Sequence, residues 1–374
     1  MYEKETKCII GDGESGYEQS ISPPIFQTST FGGGGEYSYT RLSNPTRTML
    51  ERELAELEGG RHAFAFSSGL AAVNCIFSLL KSGDRVLISD DLYGGTYRMA
   101  MQIFTNFGIK FDFLDLSNPE IVEAELKIGA KMVFAESPTN PMMKIIPLRV
   151  LSALCRKYGA LFAVDNTFLT PCFQTPLSLG ADIALHSATK FLSGHHDTVA
   201  GAVVVNDESL KSRLTLISMT LGNALSPFDS WLVLRGMRTL FLRMEKHQNN
   251  AFAVAEFLKS HPLIDRVIYP GLPEHKGHEL LKTQASGFGG VVSFTVRDAN
   301  IAKRLIKGGN LIKFAESLGG FKSLITYPLT QTHASIPTEM RERIGITDRL
   351  LRLSVGLEND SDIVEDLCYM LAIS

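Results

Sequence analysis

Apolar positions come in short blocks along the first two-thirds of the chain, and their spacing switches repeatedly between two periods. Leu50, Leu54 and Leu57 lie three or four positions apart between Arg47 and the stop at Gly59-Gly60, which predicts a helix over 47–60. Residues 63–66 then read as a strand, Ser67-Ser68-Gly69 as a turn and 70–80 as a helix. Apolar runs at 85–89, 110–114, 132–135, 161–164, 183–186 and 202–205, bounded by turn residues, predict further strands. Helices are predicted over 93–107 and 148–158. Such alternation marks an α/β fold, with a mostly parallel central sheet and helices on both faces.

After Pro227 the pattern changes. A proline-free stretch at 228–261, rich in Leu, Met, Ala and Arg, predicts one long helix with a break near Gly236. Strands at 267–269, 291–296 and 324–327 and helices at 299–307 and 362–371 follow, a smaller C-terminal α/β unit. Before residue 37 no regular structure is expected, because Ser22-Pro23-Pro24 and the run Gly32 to Gly35 oppose it. Ile25, Phe26 and Phe31 in that arm need a surface to cover them, on a neighbouring subunit or on the arm's own chain. The division expected is an arm at 1–41, a large domain at 42–235 and a C-terminal domain at 236–374.

Composition narrows the class. The 374 residues are 44% hydrophobic and 21% charged with a net charge of -3, which gives no reason to expect nucleic acid or an acidic membrane as partner. The charged start Met1 to Lys7 has no apolar stretch behind it and does not read as a signal peptide, and no apolar run has membrane-spanning length. Five scattered cysteines without a CxxC pair favour reduced thiols and a cytoplasmic setting over a disulfide frame or a zinc site.

One window carries unusual chemistry: His186-Ser187-Ala188-Thr189-Lys190 follows the apolar run at 181–185. A lysine between hydroxyls at the end of a buried strand is either solvated on a turn or chemically used. If desolvated, its amine is more easily deprotonated and suited to Schiff-base chemistry. Ligands of open α/β sheets bind beyond the carboxyl ends of the strands, and that rule gathers Ser67 to Leu70, Tyr93 to Thr96, Ser137 to Pro141 and Val164 to Thr167 beside this window. Gly69 and Leu70 open a helix, whose N-terminus favours an anion such as a phosphate. Asp165 ends a buried strand, where it caps a helix or pairs with a cation such as a protonated pyridine. Tyr93 has a face to stack on a heteroaromatic ring and a phenol for proton transfer, and Asn140 an amide for a ring oxygen. Together these residues point to pyridoxal 5'-phosphate. His195-His196-Asp197 lacks a third spaced ligand, so no metal is expected.

With these motifs assembled, the chain resembles the Cys/Met-metabolism family of pyridoxal-phosphate enzymes, which holds cystathionine γ-lyase, β-lyase and γ-synthase and methionine γ-lyase. The resemblance runs from about Thr6 to the C-terminus. It rests on Tyr39-Thr-Arg41-Leu-Ser-Asn-Pro-Thr46, Ser68-Gly-Leu-Ala71, Leu92-Tyr-Gly-Gly-Thr96, Val164-Asp-Asn-Thr-Phe168, His186-Ser-Ala-Thr-Lys190 and Arg352-Leu-Ser-Val-Gly-Leu-Glu358. It implies the aspartate-aminotransferase-like fold, fold type I. It also implies that Lys190 is the Schiff-base lysine and base, that Asp165 pairs with the ring nitrogen, and that Tyr93 stacks on the ring and serves as acid or base. Gly69, Leu70, Ser187 and Thr189 would hold the phosphate, with Thr167 and Asn140 also at the cofactor. Tyr39 and Arg41 would reach that phosphate in the neighbouring subunit of a homotetramer built as a dimer of dimers. Arg352, with Ser317 and Asn140, would bind the substrate carboxylate.

The implied reaction is carbon–sulfur cleavage of cystathionine and related amino acids, γ-elimination leading, with β-lyase and γ-synthase as rivals and a cofactor-bearing regulator as a remote one. Glu316 matches an acidic position that would grip the distal ammonium of cystathionine. Methionine γ-lyases carry a cysteine where Gly95 stands and a Lys-Asp pair where Ser218-Met219 stand, which counts against methionine as the main substrate. Lys322 replaces a usual Glu.

Overall fold

The computed structural model describes residues 2–11 and 20–372; the arm expected at 1–41 therefore lies partly outside the described residues. Seven strands form the larger sheet: β1 (His62–Phe66), β2 (Arg85–Ser89), β3 (Lys110–Leu114), β4 (Met132–Glu136), β5 (Leu161–Asp165), β6 (Ile183–His186) and β7 (Gly201–Val205). Their order is β1-β7-β6-β5-β4-β2-β3, and only β7 runs against its neighbours. Successive side chains of a strand point to opposite faces, and here both faces are covered. Met132 and Phe134 of β4 pack with Phe77 and Leu214, whereas Val133 and Ala135 pack with Leu126, Leu148 and Leu151. That two-sided burial is why the inner strands β2 and β4 to β7 read as nearly continuous apolar runs rather than as alternation.

The covering helices have legible ends. Asn44 accepts from the Thr46 N–H ahead of the helix Pro45–Glu58, with Pro45 in its first turn, and Gly59 closes it at φ 71°. Leu148–Tyr158 buries Leu148, Leu151, Ser152 and Cys155 along one stripe and ends at a left-handed Gly159.

A second sheet holds β8 (Ile264–Ile268), β9 (Val291–Val296), β10 (Lys313–Phe314), β11 (Leu324–Thr326) and β12 (Leu350–Ser354), in the order β10-β11-β12-β9-β8. It is antiparallel except where β10 meets β11. Val254 and Leu258 of the helix Leu240–Ser260 and Leu367 of Asp360–Ala372 pack on Phe294 and Leu353 of this sheet.

Several expectations need correction. Lys4–Ile10 is helical, not irregular, and buries Cys8. The helix expected at 70–80 is Gly69–Phe77, and that at 93–107 is Gly94–Gln102 followed by a 3-10 turn at Phe104–Phe107. Pro119–Ile128 and Glu208–Leu221 were not anticipated, although Asn118 and Asp207 cap them. Nor was β12.

The helical stretch expected after Pro227, with its break near Gly236, is the pair Pro227–Met237 and Leu240–Ser260. Gly236 is not the break. It sits inside the first helix because the Ser193 carbonyl comes so close that a Cβ there would collide with it. The chain turns at Arg238 and Thr239 instead. Arg243, 5% exposed, then donates to the carbonyls of Phe191 at 2.6 Å, Leu192 at 3.2 Å and Gly236 at 2.7 Å. Its guanidinium thereby fixes the backbone just after Lys190.

Candidate active site

The carboxyl ends of β4, β5 and β6 and the start of the helix Gly69–Phe77 surround a cavity of about 410 Å³. Gly69, Leu70, Tyr93, Asn140, Asp165, Thr167, Ser187, Thr189, Lys190, Glu316, Ser317 and Arg352 all line it. The two sheets thus contribute to one site. Tyr39 and Arg41 are not in its lining: both are exposed, and Arg41 donates to the Met219 carbonyl at 2.7 Å and lies over the Tyr39 ring.

Asp165 is the last residue of β5. One oxygen, Oδ1, accepts from the Thr167 N–H at 3.0 Å and the Thr167 hydroxyl at 2.5 Å. The same hydroxyl accepts from the Ser187 N–H at 2.8 Å, which ties the ends of β5 and β6 together. Burial pushes the Asp165 carboxyl up, against the two Thr167 hydrogen bonds. A carboxylate in this position gains from a cation placed against its second oxygen.

Glu136, the last residue of β4, pairs in register with Asp165. Its Oε2 accepts from the Tyr93 N–H at 3.0 Å. Burial first, then repulsion from Asp165, drives its carboxyl well above the ordinary range. Tyr93, 40% exposed, precedes the helix Gly94–Gln102, and its ring folds so far over Gly95 that a Cβ there would meet it.

Lys190 donates to the Ser317 hydroxyl at 2.9 Å. Burial lowers its pKa to about 8, the nearby Arg352 charge adds to this, and Glu316 opposes it. Arg352, in the middle of β12, is 1% exposed. It donates to Asn140 Oδ1 at 2.8 Å, the Ser317 carbonyl at 3.1 Å and Thr326 Oγ1 at 3.2 Å, while Nε has no protein partner. All three acceptors are neutral. A buried guanidinium that, among the described residues, hydrogen-bonds only neutral acceptors and feels Glu136 and Glu316 only through their field, on the wall of a cavity, is built to receive an anion.

The turn Ser68-Gly69 sits against Ser187, where a Cβ on Gly69 would lie 2.9 Å from the serine Cβ. Ser68 caps its helix by accepting from the Ala71 N–H, which leaves the first N–H groups, at Gly69 and Leu70, without intrahelical acceptors. The residues present fit pyridoxal phosphate: an anion cup at Gly69, Leu70, Ser187 and Thr189, a buried acid for the ring nitrogen, and an amine for the aldehyde. Among the described residues no cluster of metal ligands is found.

Sequence reasoning missed Glu136 and Thr332, which also line the cavity. Glu136 was visible as an acid closing an apolar run just before Ser137-Pro138. Thr332 belongs to a loop of the second sheet and carries no spacing signal.

Known proteins resemble this chain over nearly its whole length. The family described as Cys/Met metabolism PLP-dependent enzyme matches residues 5–372. A cystathionine beta-lyase of Lactococcus lactis subsp. cremoris (strain MG1363) is 48% identical over 353 residues, 93% of each chain. A cystathionine gamma-lyase of Bacillus subtilis (strain 168) is 46% identical over 364 residues, 96% of this chain and 95% of that one. The crystal structure of cystathionine gamma-lyase from Lactobacillus plantarum complexed with L-serine superposes with a TM-score of 0.97 at 39% identity, covering 99% of both chains. The architecture is thus that of a fold type I enzyme, and the chain belongs to the Cys/Met-metabolism family of PLP-dependent enzymes.

Proposed function

We propose that the protein cleaves carbon–sulfur bonds of cystathionine and related sulfur amino acids, chiefly by γ-elimination to cysteine, 2-oxobutyrate and ammonia. The observation that carries an amino-acid substrate is Arg352, buried, paired only with neutral acceptors, and on the same cavity wall as Lys190.

Bound in the cavity, pyridoxal phosphate supplies an aldehyde for amines and a protonated ring that takes up the electron pair left when a Cα–H bond breaks. Lys190 Nζ would hold the aldehyde and, when free, would take the substrate's Cα proton and the Cβ proton that γ-elimination also requires. Asp165 would keep the ring nitrogen protonated, and Gly69, Leu70, Ser187 and Thr189 would hold the phosphate, with Thr167 orienting Asp165. Arg352 grips the α-carboxylate with help from Asn140 and Ser317. Tyr93 would lie against the cofactor and would pass a proton to or from the amine or the departing thiolate. Glu316, next to Ser317 and exposed to the cavity, meets the distal ammonium of cystathionine, which an apolar residue there would leave unpaired. Tyr39 and Arg41 complete the phosphate site of a partner subunit in a cytoplasmic homotetramer, and residues 42–235 and 236–374 act as the large and C-terminal domains.

The β reading has support from the 48% identical β-lyase. The two separate by product. With cystathionine as sole substrate, γ-cleavage yields cysteine and 2-oxobutyrate, and β-cleavage yields homocysteine and pyruvate. We expect 2-oxobutyrate to dominate and Lys190→Ala to abolish both products; pyruvate alone would replace γ by β. A γ-synthase would need an activated homoserine to turn over. A regulator would keep its effect in Lys190→Ala.

A further inference from the structure

His333 lies between β11 and β12, in the second sheet's part of the chain, yet its imidazole is completely buried against the first. Nε2 is 3.1 Å from the Leu92 carbonyl oxygen and 2.9 Å from the Asn140 carbonyl oxygen, and Nδ1 is 2.7 Å from Thr332 Oγ1. Carbonyls only accept, so Nε2 carries the proton and Nδ1 accepts from the threonine hydroxyl. One tautomer satisfies every ring nitrogen. Burial, with the Arg352 charge adding to it, lowers the pKa of the ring to about 4, so it is neutral at ordinary pH.

The two carbonyls are far apart in sequence but adjacent to chemistry. Leu92 is bonded to Tyr93, and Asn140 is the amide that holds Arg352. Beside them the Thr332 carbonyl presses on Gly94 so closely that no Cβ would fit, and Ser335 Oγ donates to the Gly94 carbonyl at 3.3 Å. The contact is a seam between the two sheets' parts of the chain, with the His333 ring buried in it.

We propose that His333 is a positioning residue, pinning the backbone at Leu92 and Asn140 together and so setting the spacing between Tyr93 and the Asn140–Arg352 pair. The proposal rests on the roles given to Tyr93, Asn140 and Arg352 above. Displacement of groups near the reacting atoms by about 1 Å costs on the order of a hundredfold in rate.

His333→Ala, His333→Gln and His333→Asn test it. A glutamine amide reaches the place of Nε2 and donates; the shorter asparagine does not. In His333→Ala and His333→Asn, kcat/KM for cystathionine should fall about tenfold to a hundredfold, and the absorption band of bound pyridoxal phosphate should change. His333→Gln should recover to within about threefold, with the lowest melting temperature in His333→Ala, which leaves a cavity. Hydrogen exchange of the apoproteins over 92–96 and 139–143 should be faster in His333→Asn than in His333→Gln, a readout that needs neither cofactor nor turnover. Equal exchange and equal kinetics in Gln and Asn variants, or a wild-type spectrum and kcat/KM in His333→Ala, overturn the proposal. If His333→Ala does not fold, the Gln–Asn comparison decides. A wild type that binds no pyridoxal phosphate and cleaves no cystathionine would instead overturn the functional reading, and the exchange data would still judge the seam.

Discussion

Lys190 and Arg352 share one cavity wall, and the proximity of two cations has a consequence for each. Burial is the main reason the Lys190 amine titrates near 8 rather than 10.5, and the Arg352 field is the second. A lowered pKa means that the neutral, reactive amine is populated at lower pH than in an ordinary lysine. The rate at which apoprotein captures pyridoxal phosphate should therefore climb with pH and level off above about 8. In Arg352→Met, with the second cation gone, the midpoint should move upward. Stopped-flow absorbance across pH checks both, and an unmoved midpoint would leave burial as the only cause. Lys190, Asp165 and the Gly69 turn were legible because polar residues at the ends of apolar strands are out of place unless used. Glu136 shows the limit: its hydrogen bond to the Tyr93 N–H spans 43 positions, which no periodicity reports.

Strands β2 and β4 to β7 read correctly because burial on both faces writes a nearly continuous apolar run, whereas β3, at the sheet edge, reads by the alternation of Lys110 and Asp112 with Phe111 and Phe113. β12 did not, because Arg352 stands in its centre and a charge there breaks the pattern that identifies a strand. The break expected near Gly236 falls at Arg238 and Thr239, because Gly236 itself serves a packing contact. Gly201 is another such residue. It opens β7 directly under the Ser68-Gly69 turn, and a Cβ on it would run into the Ser68 carbonyl and lie 2.9 Å from the Gly69 nitrogen. Gly201→Ala should push that turn off the sheet and distort the anion cup. We expect the variant to fold but to bind pyridoxal phosphate at least tenfold more weakly, measured by titrating apoprotein. Unchanged affinity would remove Gly69 and Leu70 from the phosphate site.

At the scale of the whole molecule, Tyr39 and Arg41 stand exposed and outside the cavity of their own chain. If each completes a partner's site, two inactive variants should rescue one another. Arg41→Ala and Lys190→Ala, mixed after co-refolding in equal amounts, should regain about a quarter of wild-type activity, since half of randomly formed dimers are mixed and each has one intact site. No recovery would return both residues to their own chain. The sequence identified two sheets and a long helical connection, but the way the second sheet's loops reach into the first was written only in three dimensions. Arg243 shows what that reach does. With the carbonyls of Phe191 and Leu192 held by a guanidinium rooted in the helix Leu240–Ser260, the main chain at the lysine has no slack. Every journey the amine makes must then be an arc about a stationary Cα, swung by side-chain torsions alone.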